Sequence, residues 1–377
     1  MKKVENIDTK DLLAKKRRFI FFVILSLNLF GLLMVYESSS MYAYNLFKDP
    51  AYFFKKQFIF SLAGLVLFFL ILSLNLEELK KNSRVLLLFS IFLLAAVLLL
   101  GKKAGGARRW INIFGFNFQI SEILKITYLI YCSEYIRRKK HLITNFKVGL
   151  LPLFFVLGVI CGFLILEPDL GTAVFWVIWT LFFLFLNKAS KRHIFLVVLI
   201  AFISVFFLIK LYPYRFRRIL VFFNPFAEPL TSGYQIIQSQ VAFTSGGLFG
   251  LGFGESRQKL FFLPAAHTDF IFSIIAEQFG LLGSLFLIFI FFILLNNMFN
   301  VAKILNNSNV NILYGIILIL FLEILVNIGV TCGLFPTKGL PLPFISYGGS
   351  NLITHYILFG LFFNFSRQKD ENIISNR

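Results

Sequence analysis

The chain has 377 residues, of which 58% are hydrophobic and 52 are Phe, and its mean hydropathy is +0.81. A soluble domain is about half apolar, whereas here the apolar residues come in runs of roughly 18–25, the length that crosses a bilayer as a helix; a soluble domain is excluded, and so is a membrane barrel, whose strands would alternate. The formal net charge of +19 does not point to nucleic acid, because the basic residues gather in short segments between the apolar runs, as they do around membrane helices.

In chain order, a basic tail (1–18) carries Lys15, Lys16, Arg17 and Arg18. Ten spans are predicted after it, at 19–39, 55–75, 83–101, 119–137, 149–167, 170–188, 193–212, 269–295, 310–333 and 345–366. The predicted fold is therefore an all-α polytopic membrane protein. One ten-span domain occupies 19–366, a large extracytoplasmic loop (213–268) separates spans seven and eight, and a polar tail (367–377) closes the chain. An even count places both termini on one side. Lys and Arg favour that side, which assigns both termini to the cytoplasm. The first apolar run is too long for a cleaved signal. Cys132, Cys161 and Cys332 all lie in apolar runs, so no disulfide framework is expected, and the four His show no metal-ligand spacing.

Several cations break the charge rule. Lys102, Lys103, Arg108 and Arg109 fall in one predicted outside loop, and Arg215, Arg217, Arg218, Arg257 and Lys259 in another. They are either tolerated exceptions to a bias that holds only on average, or ligands for something anionic outside. Glu122 and Lys125, three apart at the start of span four, share a helical face and can pair; the pair is either self-neutralising or part of a site. Glu167 and Asp169 flank Pro168, where Asp169 can cap the next helix. Glu277 and Glu323 lie deeper and read as packing residues or contacts for a partner helix rather than as chemistry.

The loop at 213–268 contains YQIIQSQVAFT, a candidate short amphipathic helix, and then a glycine run that lacks the context of a nucleotide-binding loop. It ends at His267-Thr268-Asp269, the start of span eight. Thr268 can cap that helix, and the helix dipole would hold Asp269 ionised. Burial would have to offset the dipole for this carboxylate to accept a proton. Gly280 and Gly283 in span eight offer close approach to a neighbouring helix, either the protein's own or a partner's. Before span ten, Pro336, Pro341 and Pro343 forbid regular helix around Lys338, and Ser346, Gly348, Gly349 and Ser350 follow. Irregular backbone at membrane depth lines a cavity or is buried in protein; small residues also serve close packing.

The strings GARRWINIFGFNFQISEILKI (106–126), EPDLGTA (167–173), GYQIIQSQVAFTSGGLFGLGFGESRQKLFFLPAAHTDFIF (233–272) and NIGVTCGLFPTKGLPLPFISYGGSN (327–351) resemble, in order and over the whole chain, the SEDS family of shape, elongation, division and sporulation proteins. SRQKL before AHTDFIF and the TKG before the last proline turn resemble its FtsW branch more than its RodA branch. Three positions depart from the family pattern: Ile120 for Pro, Ala265 for Glu and Asn351 for Ser. The resemblance implies a peptidoglycan glycosyltransferase at the outer face of the bacterial cytoplasmic membrane, working at the division septum. It would join lipid II, an undecaprenyl diphosphate-linked disaccharide-peptide, into β-1,4-linked glycan, with Asp269 at the family's essential aspartate and Trp110 at its RRW tryptophan. Arg108, Arg109, Trp110, Glu122, Lys125, Asp169, His267, Lys338, Ser346 and Ser350 are the candidate substrate-binding residues. No cofactor is demanded; a divalent cation, Mg or Mn, is one way to neutralise the diphosphate. The implied partners are a class B penicillin-binding protein, whose single helix would dock on spans eight and nine, other division proteins and membrane lipid. A lipid II flippase and a non-catalytic scaffold are the competing functions; the absence of a visible inverted repeat argues against the first.

Overall fold

The computed structural model describes residues 2–104, 107–113, 116–211, 213–231, 233–305 and 309–375. The side chains of Lys102, Lys103 and Arg215, and those of 1–9 and 368–377 at the chain ends, lie outside the described residues. Helices and strands follow in the order α1 (Lys2–Phe47), α2 (Tyr52–Ser73), α3 (Leu76–Lys81), α4 (Ser83–Leu100), β1 (Lys102–Ala104), β2 (Ala107–Ile113), β3 (Phe116–Gln119), α5 (Ile120–Lys139), α6 (Leu151–Leu166), α7 (Leu170–Leu186), α8 (Lys191–Leu211), α9 (Pro213–Phe223), α10 (Tyr234–Gly246), α11 (Ile271–Leu305), α12 (Val310–Thr331) and α13 (Gly349–Ser375).

Each predicted span overlaps one helix. Among the described residues, seven helical stretches are long and apolar enough to cross a membrane: Lys10–Phe47, Tyr52–Ser73, Ser83–Leu100, Phe146–Leu166, Lys191–Lys210, Ile271–Leu305 and Val310–Thr331. α7 is apolar but shorter. α5 is interrupted by Glu122, Lys125 and Glu134, and α13 by Asn351, Thr354, His355 and Asn364. The apolar helices leave much of their surface uncovered: Phe195 (67% exposed) and Phe202 (70%) on α8 are typical. Such surface is untenable in water and natural in lipid, where every backbone group is satisfied within its own helix. The chain is an integral membrane protein.

Three local structures differ from the sequence expectation. α1 continues through the basic tail instead of starting near residue 19. The loop after α4 forms a three-stranded antiparallel sheet, β1-β2-β3, in which Trp110 lies opposite both Lys102 and Gln119. The long loop holds two helices. α10 was foreseen; α9, begun by Pro213, was not. Proline suits a first helical position because its missing N–H has no partner there anyway.

The chain forms two compact units. The first comprises 1–63, 205–298 and 320–352, and the second 64–204, 299–319 and 353–377. Each is stitched by buried polar pairs between helices, which complement van der Waals packing where no water competes. In the first unit Asn28 donates to Ser61. The Ser239 hydroxyl bonds Ser273 at 2.7 Å and the Thr331 carbonyl at 2.6 Å. In the second, Tyr128 meets Thr180 at 2.9 Å, the Trp179 indole donates to the Gly315 carbonyl at 3.1 Å, and Asn364 donates to the carbonyls of Ile71 and Leu74 at the end of α2.

Candidate active site

In the first unit the chain turns tightly before α11. The N–H groups of Thr268 and Phe270 both donate to the Ala265 carbonyl, at 3.0 and 3.3 Å. The Thr268 hydroxyl bonds the same carbonyl, so it does not cap the helix. α11 begins at Ile271, leaving Asp269 in the turn just ahead of it. Asp269 is half-buried, and the segment carrying Lys338 crosses its carboxylate. A Cβ at position 339 would lie 2.8 Å from the Asp269 Oδ2, so a side chain there would push the carboxylate from its place. Burial pushes the Asp269 carboxyl up to about 6, against the Lys338 cation, which lowers it. The offset that a proton acceptor needs is therefore present. A base titrating near neutrality stays mostly ionised at pH 7 yet retains proton affinity.

Side chains replace the helical hydrogen bonds that the prolines forbid. Asn327, on α12, donates to the backbone carbonyls of Asp269 (3.0 Å) and Leu340 (2.7 Å) at once. Ser346 donates to the Thr268 carbonyl at 2.6 Å and accepts from the Leu342 N–H at 2.8 Å. The Tyr347 N–H donates to the His267 carbonyl at 2.9 Å. Gln57 on α2 closes the set, donating to the Ser346 carbonyl and accepting from the Gly348 N–H. The buried backbone is thus satisfied, and Asp269 is locked in register with the Lys338 segment. Asn327→Leu is expected to keep the protein inserted but cut turnover by roughly 10²-fold, the cost of a misplacement of about 1 Å. Steady-state rates alongside a thermal unfolding curve check this, and an undiminished rate would make the amide dispensable.

Arg218, from α9, donates to the Thr337 carbonyl at 3.3 Å, beside Lys338, whereas Arg217 forms an ion pair with Glu228. Glu277 is buried and accepts from the Ser256 hydroxyl and the N–H groups of Arg257 and Gln258, which confirms a structural role. Lys259 bonds Glu37 of α1, as does Gln278 at 3.1 Å. This cluster ties the SRQK turn to the helices. Gly280 is a break in α11, with φ +67, and the backbone of the glycine run lies against it: a Cβ there would meet the Gly250 nitrogen at 2.3 Å. The N–H groups of Leu281 and Leu282 donate to Gly247 and Leu248. Gly280 therefore receives the protein's own loop, not a partner helix, and the space at Gly283 is taken by Phe279 of the same helix.

The second unit holds Arg108, Arg109, Trp110, Glu122, Lys125 and Asp169. Arg108 donates to the carbonyls of Leu98 and Leu99 at the end of α4, and Arg109 to those of Glu167 and Pro168 at the end of α6. A cation at a helix C-terminus is held by both hydrogen bonds and the dipole, so Arg108 and Arg109 have structural partners. Arg109→Ala should cost about 1–3 kcal/mol of stability, read as a lower unfolding temperature; reduced substrate use without that change would assign it to the ligand instead. Asp169 caps α7, accepting from the Thr172 N–H at 3.2 Å and hydroxyl at 2.7 Å. Burial pushes the neighbouring Glu167 up to about 8; the Asp169 charge adds to this and Arg109 opposes it. Lys125 and Glu122 are buried and paired at 2.7 Å. Trp110 is half-buried on β2.

Five sequence candidates, Asp269, His267, Lys338, Ser346 and Ser350, thus fall in the first unit; the hydrogen-bonded framework joins Asp269, His267 and Ser346, Lys338 acts on Asp269 through its charge, and Ser350 is buried at the start of α13. Asn327, Gln57 and Gly339 were missed. A search confined to ionisable groups passes over amides, although an uncharged Asn in an apolar helix is also costly unless partnered.

The chain resembles known proteins over nearly its whole length. The family model for the FtsW, RodA and SpoVE cell cycle proteins matches residues 17–371. A curated relative from Trichlorobacter lovleyi, a probable peptidoglycan glycosyltransferase FtsW, is 40% identical over 359 residues, covering 94% of each chain. Its namesake from Coxiella burnetii is 38% identical, covering 89% of this chain and 92% of its own. One chain of a peptidoglycan synthase complex, solved for the coordination of polymerization and crosslinking, superposes with a TM-score of 0.77 at 27% identity, over 93% of this chain and 97% of that one. Thermus thermophilus RodA shares the fold, with a TM-score of 0.67 at 24% identity, over 93% of this chain and 96% of its own. The chain belongs to the FtsW/RodA/SpoVE family, the SEDS proteins.

Proposed function

We propose that this protein is a peptidoglycan glycosyltransferase that polymerises lipid II at the outer face of the cytoplasmic membrane during septal wall synthesis, with both termini in the cytoplasm. The observation that carries the chemistry is Asp269, half-buried, raised to about 6 and locked beside Lys338. The acceptor sugar hydroxyl attacks the anomeric carbon of the donor. Asp269 takes the hydroxyl proton, a new carbon–oxygen bond forms, and the bond to the undecaprenyl diphosphate breaks with its electrons staying on the phosphate oxygen. General-base help of this kind contributes about 10²–10⁴-fold. The developing phosphate charge needs a preorganised cation. Lys338 is the choice in the same unit as Asp269, with Arg218 close by on the Thr337 carbonyl. Arg108 and Arg109 hold helix ends and Lys125 is matched by Glu122, which makes them supports of the fold first and ligands second.

Among the described residues no group of three or more metal-ligating side chains occurs. A divalent cation would be carried by the substrate's own phosphate oxygens, a donor set suited to Mg, and would neutralise diphosphate charge there, leaving Asp269 free as the base. The relationship to a complex that couples polymerization to crosslinking supports a class B penicillin-binding protein as partner. Its docking along α11 and α12 rests on their lipid-facing apolar residues, such as Phe286, Phe289 and Phe321, and no longer on Gly280 or Gly283. Purified protein in liposomes with labelled lipid II tests the function. Glycan polymer is expected; translocation without polymer would make the protein a flippase, and neither would make it a scaffold.

A further inference from the structure

Next to Asp269 stands a group of aromatic rings to which neither the catalytic step nor the fold assigns a task. Tyr42 comes from the last turns of α1, Phe53 from the first turn of α2, His267 from the turn before α11 and Tyr347 from the segment before α13. The His267 ring lies 4.7 Å from Phe53 and 5.7 Å from both Tyr42 and Tyr347; Phe53 lies 5.0 Å from Tyr347 and 6.0 Å from Tyr42. Phe261 extends the group, 6.3 Å from Tyr42. The rings are not sealed in a core: Tyr42 is 41% and Phe261 49% exposed. Nor do they carry charge, since burial holds the His267 imidazole down to about 4 and pushes the Tyr347 phenol up to about 12. The group moves with the catalytic turn, because His267 is two residues from Asp269 and accepts the Tyr347 N–H.

We propose that Tyr42, Phe53, His267 and Tyr347 form a stacking subsite for the sugar rings of a β-1,4-linked hexosamine chain, seating the glycan strand against Asp269. The inference rests on the glycosyltransferase reading and names where its polymer lies. A hexosamine chair with equatorial substituents presents axial C–H bonds on its faces, an apolar surface that fits an aromatic face, while its edge remains hydroxylated. Neutral rings with polar tips meet both demands, as they do wherever one side of a ligand is apolar and the other wet. An aromatic belt for lipid headgroups would be built from Trp and Tyr turned outward at the interface. Here the rings face one another, come from four chain segments and include a neutral His hydrogen-bonded through its own carbonyl to the segment before α13.

The test titrates a lipid-free β-1,4-linked N-acetylglucosamine tetrasaccharide into the full-length protein in nanodiscs and measures glycan strand length in the liposome assay. Wild type should bind the tetrasaccharide. Tyr42→Ala should weaken binding roughly three- to tenfold, the range of a single aromatic stacking contact, and shorten the strands, whereas Tyr42→Phe should restore both. Binding that Tyr42→Ala and Tyr347→Leu leave unchanged, or no binding by wild type, would overturn the subsite; polymer made by wild type in the same assay would leave the enzymatic reading intact. Ring-dependent binding without any wild-type polymer would sink that reading and leave the subsite standing.

Discussion

Asp269→Asn is expected to abolish lipid II polymerisation, by at least about 10²–10⁴-fold, while the protein inserts normally and is no less stable at pH 7. The stability half of this expectation follows from the direction of the pKa shift. A carboxyl raised to about 6 in the folded protein favours its neutral form there more than it does in the unfolded chain. Its contribution to stability is therefore complete at pH values below the unfolded carboxyl's, and is lost as pH rises through about 6. At pH 7 the ionised carboxylate is held against its preference, and the isosteric amide removes that cost. The hydrogen bonds that fix the turn are made by backbone groups of Thr268 and Asp269 to Ser346 and Asn327, so the amide leaves them in place. A loss of activity accompanied by a lower unfolding temperature would instead describe a residue needed for folding.

Lys338→Ala is expected to lower turnover by roughly 10²–10³-fold, the usual effect of removing one preorganised charge partner of a transition state. It also has a second signature. Lys338 lowers the Asp269 pKa against the effect of burial, so without the cation the base should stay protonated to a higher pH. The acid limb of the pH–rate profile then moves up. Lys338→Arg retains a positive charge and should restore much of the rate and the original limb, although its planar fork differs from a compact ammonium. A profile unmoved by Lys338→Ala, with a normal rate, would assign Lys338 to packing of the proline segment.

The sequence carried the architecture well because hydropathy in a bilayer is a strong constraint: each of the ten apolar runs corresponds to a helix. The supporting framework was less legible. Gly280 read as a seat for a neighbouring helix, the protein's own or a partner's, since spacing along a helix cannot reveal that a loop some thirty residues upstream folds back onto it. For Arg108 and Arg109 the sequence left an anion ligand and a tolerated exception equally open, since their partners are backbone carbonyls at the ends of α4 and α6, and carbonyls leave no mark in a sequence. Asn327 joins two carbonyls that are both remote from it in the chain. Asp269 itself was legible, as the carboxylate that closes the long polar loop. Its raised pKa was not, because it comes from burial under segments remote in the chain, the one carrying Gly339 among them.

The most direct test of Asp269 as the base is the pH dependence of lipid II polymerisation by wild type and Asp269→Asn, measured side by side in liposomes from about pH 5 to 8. The wild-type rate should fall about tenfold per pH unit below a limb near 6, as the base takes up its proton. The Asn variant should show no such limb and no rate above background. A wild-type rate that is flat across the range, or an Asn variant that polymerises with the same acid limb, would contradict the assignment.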